Sequence, residues 1–110
     1  MKMTMKAALL ICAVLAVATA ALADAPIEMT LKDHKFTPAQ ITVKANQPIT
    51  IHLTNKDATA EEFDSSSLKV EKVVAGGSDG MVRIRPLSPG KYPFMGEYHS
   101  STAQGLVIVK

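Results

Sequence analysis

An all-β sandwich or barrel of about seven short strands is the fold this sequence predicts, on three observations. Apolar and polar residues alternate with period two, turn-forming clusters interrupt them at spacings of about 8–12 residues, and no window sustains a helical period of 3.6. Taken in order, Ile27, Met29 and Leu31 form the first alternating set and Ile41 and Val43 the second. Ile49, Ile51 and Leu53 follow, then Val82 and Ile84, then Tyr92 and Phe94. The run Leu106-Val107-Ile108-Val109 closes the chain as a fully apolar strand. Between these sets stand Thr37-Pro38, Ala45-Asn46-Gln47-Pro48, Asn55-Lys56-Asp57 and Ser88-Pro89-Gly90, each rich in residues that favour turns. Gly76-Gly77-Ser78-Asp79-Gly80 reads as a hairpin turn, and residues 66–72 as a single helical turn. Met29, Phe63, Met81 and Tyr92 read as core, and His52, between Ile51 and Leu53, as an outward-facing strand residue.

With 110 residues the chain has room for one domain. Residues 1–23 read as an export signal that is removed: Lys2 and Lys6 precede an uncharged run from Ala7 to Ala21, and Ala21-Leu22-Ala23 has the small-x-small form of a cleavage site. That run is shorter than the roughly 20 residues a membrane-spanning helix needs. The mature domain is therefore expected over residues 24–110, in the periplasm and not spanning the membrane. Lys2 and Lys6 depart with the leader, which leaves ten basic against ten acidic side chains and no basic stripe for nucleic acid. Cys12 departs too, and Leu9-Leu10-Ile11 ahead of it lacks the small residue that lipid attachment wants. A mature chain without cysteine has no disulfide, no thiolate nucleophile and no thiolate metal ligand. The glycines at 76, 77 and 80 lack the Lys-Ser/Thr of a phosphate loop, and no serine sits in a nucleophile elbow.

The last third carries a recognisable order of motifs. Leu87-Ser88-Pro89-Gly90-Lys91-Tyr92-Pro93-Phe94, a loop with His99, and Gly105-Leu106-Val107-Ile108-Val109 together resemble the C-terminal half of the cupredoxins, the fold of blue copper proteins. Upstream, the stretch from Ile41 to Asn55 is similar to the paired strands that lead into the first copper-binding loop of that family. The resemblance implies a cupredoxin-like Greek-key β-sandwich. Blue copper sites use two His, one Cys and a weak axial Met. Along the Tyr-x-Phe-x-Cys pattern the cysteine position is Gly96 and the following histidine is His99; the axial Met position falls at Ala103 or Gln104, and Glu61 stands near the first His position. One ligand of four is kept, so an ordinary blue electron carrier is excluded by its chemistry.

A narrower resemblance comes from Asp33-His34-Lys35-Phe36-Thr37-Pro38, Glu61-Glu62-Phe63, Phe94-Met95-Gly96-Glu97-Tyr98-His99 and Thr102-Ala103-Gln104-Gly105. These are similar to the small periplasmic cupredoxin-like proteins that accompany bacterial iron-permease (ferrous iron) uptake systems. That similarity implies a cysteine-free site for a copper ion or an iron ion, with an inner-membrane iron permease or another periplasmic metal-handling protein as partner. The candidate ligands are His99, then Glu97 and Glu62, then Glu61, Met95 and His34. Imidazole and carboxylate suit Cu(II) or iron, and a thioether adds affinity for Cu(I). Parity places Gly96 on the side of Phe94, with Met95 and Glu97 opposite, and a bulge or a positive φ at Gly96 is the expected way to turn them back towards His99. Of Glu61 and Glu62, adjacent on a strand, one faces away. The expected role is binding and delivery rather than catalysis, with no catalytic residue assigned. The alternatives are copper-dependent oxidation of ferrous iron or electron transfer, and a metal-free interaction module.

Overall fold

The computed structural model describes residues 25–110, so the expected leader lies outside the described residues. Nine strands build two sheets: β1 (Ile27–Lys32), β2 (Lys35–Thr37), β3 (Gln40–Val43), β4 (Ile49–Asn55), β5 (Glu61–Ser65), β6 (Val70–Val74), β7 (Asp79–Ile84), β8 (Gly90–Gly96) and β9 (Gln104–Val109). One sheet has the order β2-β1-β4-β7 and the other β3-β9-β8-β5-β6. Two neighbour pairs are parallel, β1 with β4 and β3 with β9, and the rest antiparallel. The expected all-β sandwich is observed.

Alternation decides which side chains meet between the sheets. In β4 the odd positions Ile49, Ile51, Leu53 and Asn55 are buried, and in β1 Met29 and Leu31. Phe63, Phe94, Val107 and Val109 face them from the second sheet. Three phenylalanines form the centre: Phe63 stacks on Phe94 with centroids 4.6 Å apart, and Phe36 meets Phe94 edge-on at 5.2 Å. Such aromatic pairs contribute about 0.5–1.5 kcal/mol beyond the area they bury. They lie directly beneath the end of the sandwich where β5 begins and β8 ends.

Four local expectations are corrected. Nine strands replace about seven, because β2, β5 and β6 carry too little apolar alternation to be read. Residues 66–72 are not a helical turn; residues 66–69 turn, with Lys69 at φ 56°, and β6 starts at Val70. The glycine segment after β6 is not a hairpin, because β6 pairs with β5 in one sheet and β7 with β4 in the other. It crosses between sheets against the loop after β4, where Gly77 N–H donates to Asp57 O at 2.9 Å and a Cβ on Gly76 would stand 2.1 Å from Ala58 O. Met81 lies on the outer face, since Val82 and Ile84 take the inward parity of β7.

Candidate metal centre

β5 opens with a charged residue on its inward parity. Glu61 shares a face with Phe63 and Ser65, and its side chain is fully buried. A buried carboxylate is costly unless hydrogen bonds replace its hydration. Here three do: Oε1 accepts the amide N–H of Glu62 at 3.1 Å and of Tyr98 at 2.9 Å, and Oε2 lies 2.5 Å from His99 Nδ1. An ionised carboxylate only accepts, so Nδ1 carries the hydrogen and, in the neutral ring, Nε2 keeps the lone pair. This carboxylate-imidazole arrangement is one that orients metal-binding histidines.

Space for Glu61 comes from what β8 and β9 lack. Gly96 ends β8 on the buried side, and a Cβ placed there would stand 2.6 Å from Glu61 Cδ and 2.8 Å from Ala103 Cβ. Glu61, Gly96, His99 and Ala103, the last being one of the two residues at which the axial position could fall, therefore converge on one locus. Gly96 has φ −89° and ψ 106°, ordinary extended backbone, so the glycine is needed for room and not for a positive φ. Residues Glu97–His99 then form a single 3₁₀ turn, and a further turn follows it, in which the N–H groups of Thr102 and Ala103 donate to His99 O at 3.1 and 2.9 Å. The turn swings His99 towards Glu61 and Glu97 away from it, so the two do not share one side as an extended segment would require.

His34 reaches the centre from the hairpin between β1 and β2. Its ring stacks on His99 with centroids 3.5 Å apart and planes 9° from parallel. Lys32 pairs with Lys35, so Asp33 and His34 alone make the turn, both with positive φ, 52° and 57°. That is the two-residue turn that usually takes Asn-Gly. Side chains other than glycine raise the cost of the left-handed region by about 1–2 kcal/mol each. Asp57 offsets it: Oδ1 accepts Asp33 N–H at 2.7 Å and Oδ2 accepts His34 N–H at 3.0 Å. Those bonds, His34's first, hold the Asp57 carboxyl below its ordinary value despite some desolvation. Asp57 is placed in turn by Asn55, whose buried side chain accepts Asp57 N–H at 3.0 Å and donates to Thr59 O and Val74 O at 2.9 and 3.1 Å.

The other predicted donors stand outside. Glu62 and Asp64 alternate with Phe63 on the outer face of β5, and their carboxylate oxygens come within 4.8 Å of Glu97's. Desolvation, and then the negative charges of Glu97, Glu71 and Asp64, push the Glu62 carboxyl up. Desolvation, and then Glu62, push the Tyr98 hydroxyl up. Met95 pairs with Asp64 across β8 and β5 and is 41% exposed. Thus Glu61, His99 and His34 form an inner group, while Glu62, Glu97 and Met95 form an outer rim with Asp64. Sequence order favours Glu62 over Glu61, yet parity carried the opposite signal: if Phe63 faces in, so does Glu61. Asp64 could have been read from the same alternation. Asp57 had no such signal, because its function depends on a turn 23 residues away.

Comparison with known proteins agrees with this architecture. Residues 5–109 match the cupredoxin-like domain family. An uncharacterized protein of Rickettsia prowazekii (strain Madrid E) is 41% identical over 83 residues, 76% of this chain and 66% of that protein, so the chain spans just under two thirds of its relative's length. Among solved structures, the metal-binding domain of the Streptococcus pneumoniae Cu(I)-exporting P-type ATPase CopA superposes with TM-score 0.66 at 15% identity, covering 77% of this chain and 84% of that one. Amicyanin from Paracoccus versutus superposes with TM-score 0.61 at 16% identity over 79% and 83%. Identities this low speak for the fold alone, and with the match along nearly the whole sequence they place the chain in the cupredoxin-like domain family.

Proposed function

We propose that this protein binds a transition-metal ion as cargo, copper first and iron second, at the Glu61 end of the sandwich, and delivers it in an uptake or homeostasis pathway. A blue copper set does not fit: Gly96 and Ala103 offer no sulfur where that set needs it, and residues 25–110 contain no cysteine. The residues present offer imidazole nitrogen and carboxylate oxygen instead, and one observation carries the reading. A fully buried carboxylate, Glu61, is held 2.5 Å from His99 Nδ1 in the space that Gly96 leaves. Glu61 and His99 are the central residues, with Glu62, Glu97 and Met95 on the adjoining rim. A similar fold carries Cu(I) in the CopA metal-binding domain.

The same proposal includes removal of residues 1–23, a periplasmic location and an inner-membrane iron permease or another periplasmic metal carrier as recipient. N-terminal sequencing of the exported protein tests the first two. Metal analysis followed by titration with Cu(II), Cu(I) and Fe(III) tests the binding. Glu61→Gln and His99→Ala are expected to weaken copper affinity by about 10–100-fold or more. Unchanged affinity in both variants overturns the assignment, and absence of binding in the wild type overturns the function.

A further inference from the structure

We infer that His34 is not a donor to the metal but the flat support that fixes the plane of the His99 ring, and that Asp57 is the clamp that delivers it. This rests on the metal-binding reading above and specifies how its histidine is held. An imidazole binds a metal ion along a nitrogen lone pair, in the plane of the ring, at about 2.0–2.1 Å. Two rings stacked 3.5 Å apart and only 9° from parallel aim their lone pairs into separate planes. No point within about 2.1 Å of a nitrogen of each ring lies in both planes, so one ion cannot take both rings in this arrangement.

What the stack does instead is complete the restraint on His99. Glu61 grips the Nδ1 edge and sets which nitrogen carries hydrogen. An edge contact alone leaves the ring free to tilt about that hydrogen bond, and the His34 face removes this freedom. Every part of the support is built. Two non-glycine residues stand at positive φ to form the turn, Asp57 accepts both of their N–H groups, and Asn55 holds Asp57. A backbone held in sparsely populated angles by carboxylate bonds from another loop is an arrangement found where a side chain must be presented accurately. His34 and Asp57 are thus positioning residues.

The test separates stacking from donation. His34→Phe keeps a flat ring and removes both nitrogens, and His34→Ala removes both functions. Cu(II) affinity is expected to fall by about 10–100-fold in His34→Ala and to return towards wild type in His34→Phe. Electron paramagnetic resonance of the wild-type Cu(II) complex is expected to show one imidazole nitrogen, unchanged in His34→Phe. Two imidazole nitrogens in the wild type, or a phenylalanine variant as weak as the alanine one, overturn the inference while leaving the metal-binding function standing. A wild type that binds no copper removes both. In the metal-free protein, NMR is expected to show the His99 ring protons displaced upfield by the stacked ring. That displacement should vanish in His34→Ala and in Asp57→Asn, and return in Asp57→Asn combined with Asp33→Gly, where glycine accepts the positive φ. A displacement that survives Asp57→Asn overturns the role of Asp57.

Discussion

Two histidines in this protein stand against carboxylates, and they differ in how many ring nitrogens those contacts occupy. His52, on the outer face of β4, has Nδ1 2.8 Å from Glu28 on β1 and Nε2 2.6 Å from Asp79 on β7. Glu28 is directly opposite it in the register and Asp79 one diagonal step away. Both ring nitrogens are spent, on carboxylates that are 70% and 61% exposed. His99 spends one nitrogen, on a carboxylate with no exposure at all, and keeps the other. Residue type and proximity are therefore poor guides to a metal site. The useful quantity is which lone pair remains after the hydrogen bonds are counted, and whether burial makes the carboxylate's position rigid.

The largest effect that would break this contrast is at Glu61. Glu61→Ala leaves His99 Nδ1 and the N–H groups of Glu62 and Tyr98 without their buried acceptor, and a buried donor left unsatisfied costs about 1–3 kcal/mol. Urea unfolding is expected to show a loss of that size together with lost copper affinity. Glu28→Ala, at an exposed partner of His52, should shift neither by a comparable amount. Next is Gly96→Ala. Its Cβ meets Glu61 and Ala103 at 2.6 and 2.8 Å, so overpacking should destabilise the protein by about 1–3 kcal/mol and displace the carboxylate from His99. Crystallography of the variant, if it shows Glu61 unmoved, refutes the view that glycine makes the room.

A pH profile sharpens the comparison from the other side. Asp79 first, and Glu28 second, raise the His52 pKa above 6.5. The folded protein then holds the His52 proton more tightly than the unfolded chain does, so the stabilisation is fully present below pH 6.5 and is lost as pH rises through the raised value. His52 correspondingly lowers the Asp79 carboxyl below 3.8, a stabilisation present above that value and lost as pH falls through the lowered one. In His52→Gln the decline in stability above pH 6.5 that belongs to this group should disappear from melts recorded at successive pH values. The smallest expected effect is on copper. His52→Ala should leave Cu(II) affinity and the nitrogen couplings of the complex as in the wild type, and a loss approaching that of His99→Ala would place the metal on the wrong face of the sandwich.

Legibility followed burial pattern. β1, β4, β7 and β8 were readable because their apolar residues recur every second position, which is the period of a sheet with one buried face, and β9 because it is a short continuous apolar run. β5 hid its inward face because the first residue on it is a glutamate, and β6 hid because its central residues are exposed. His99, Glu61 and His34 could all be named as candidates, but their grouping could not. Asp33 and His34 share the turn between β1 and β2, while Asp57, Glu61 and His99 lie on three other segments, and only strand pairing within each sheet together with packing of the two sheets brings them to one end.

Alone, the order of residues determined the all-β class, the absence of cysteine from residues 25–110 and hence of any thiolate site, and the pool of donors from which a metal centre can be drawn. Tertiary structure decided which donors meet. Glu61 is buried and Glu62 is not, Glu97 is turned outward by a 3₁₀ turn, and His34 is laid flat on His99. The physical reason is that composition and alternation act through local steric and solvation preferences. A lone pair's partner is set by contacts between segments far apart in the chain, and these exist only once both sheets have packed.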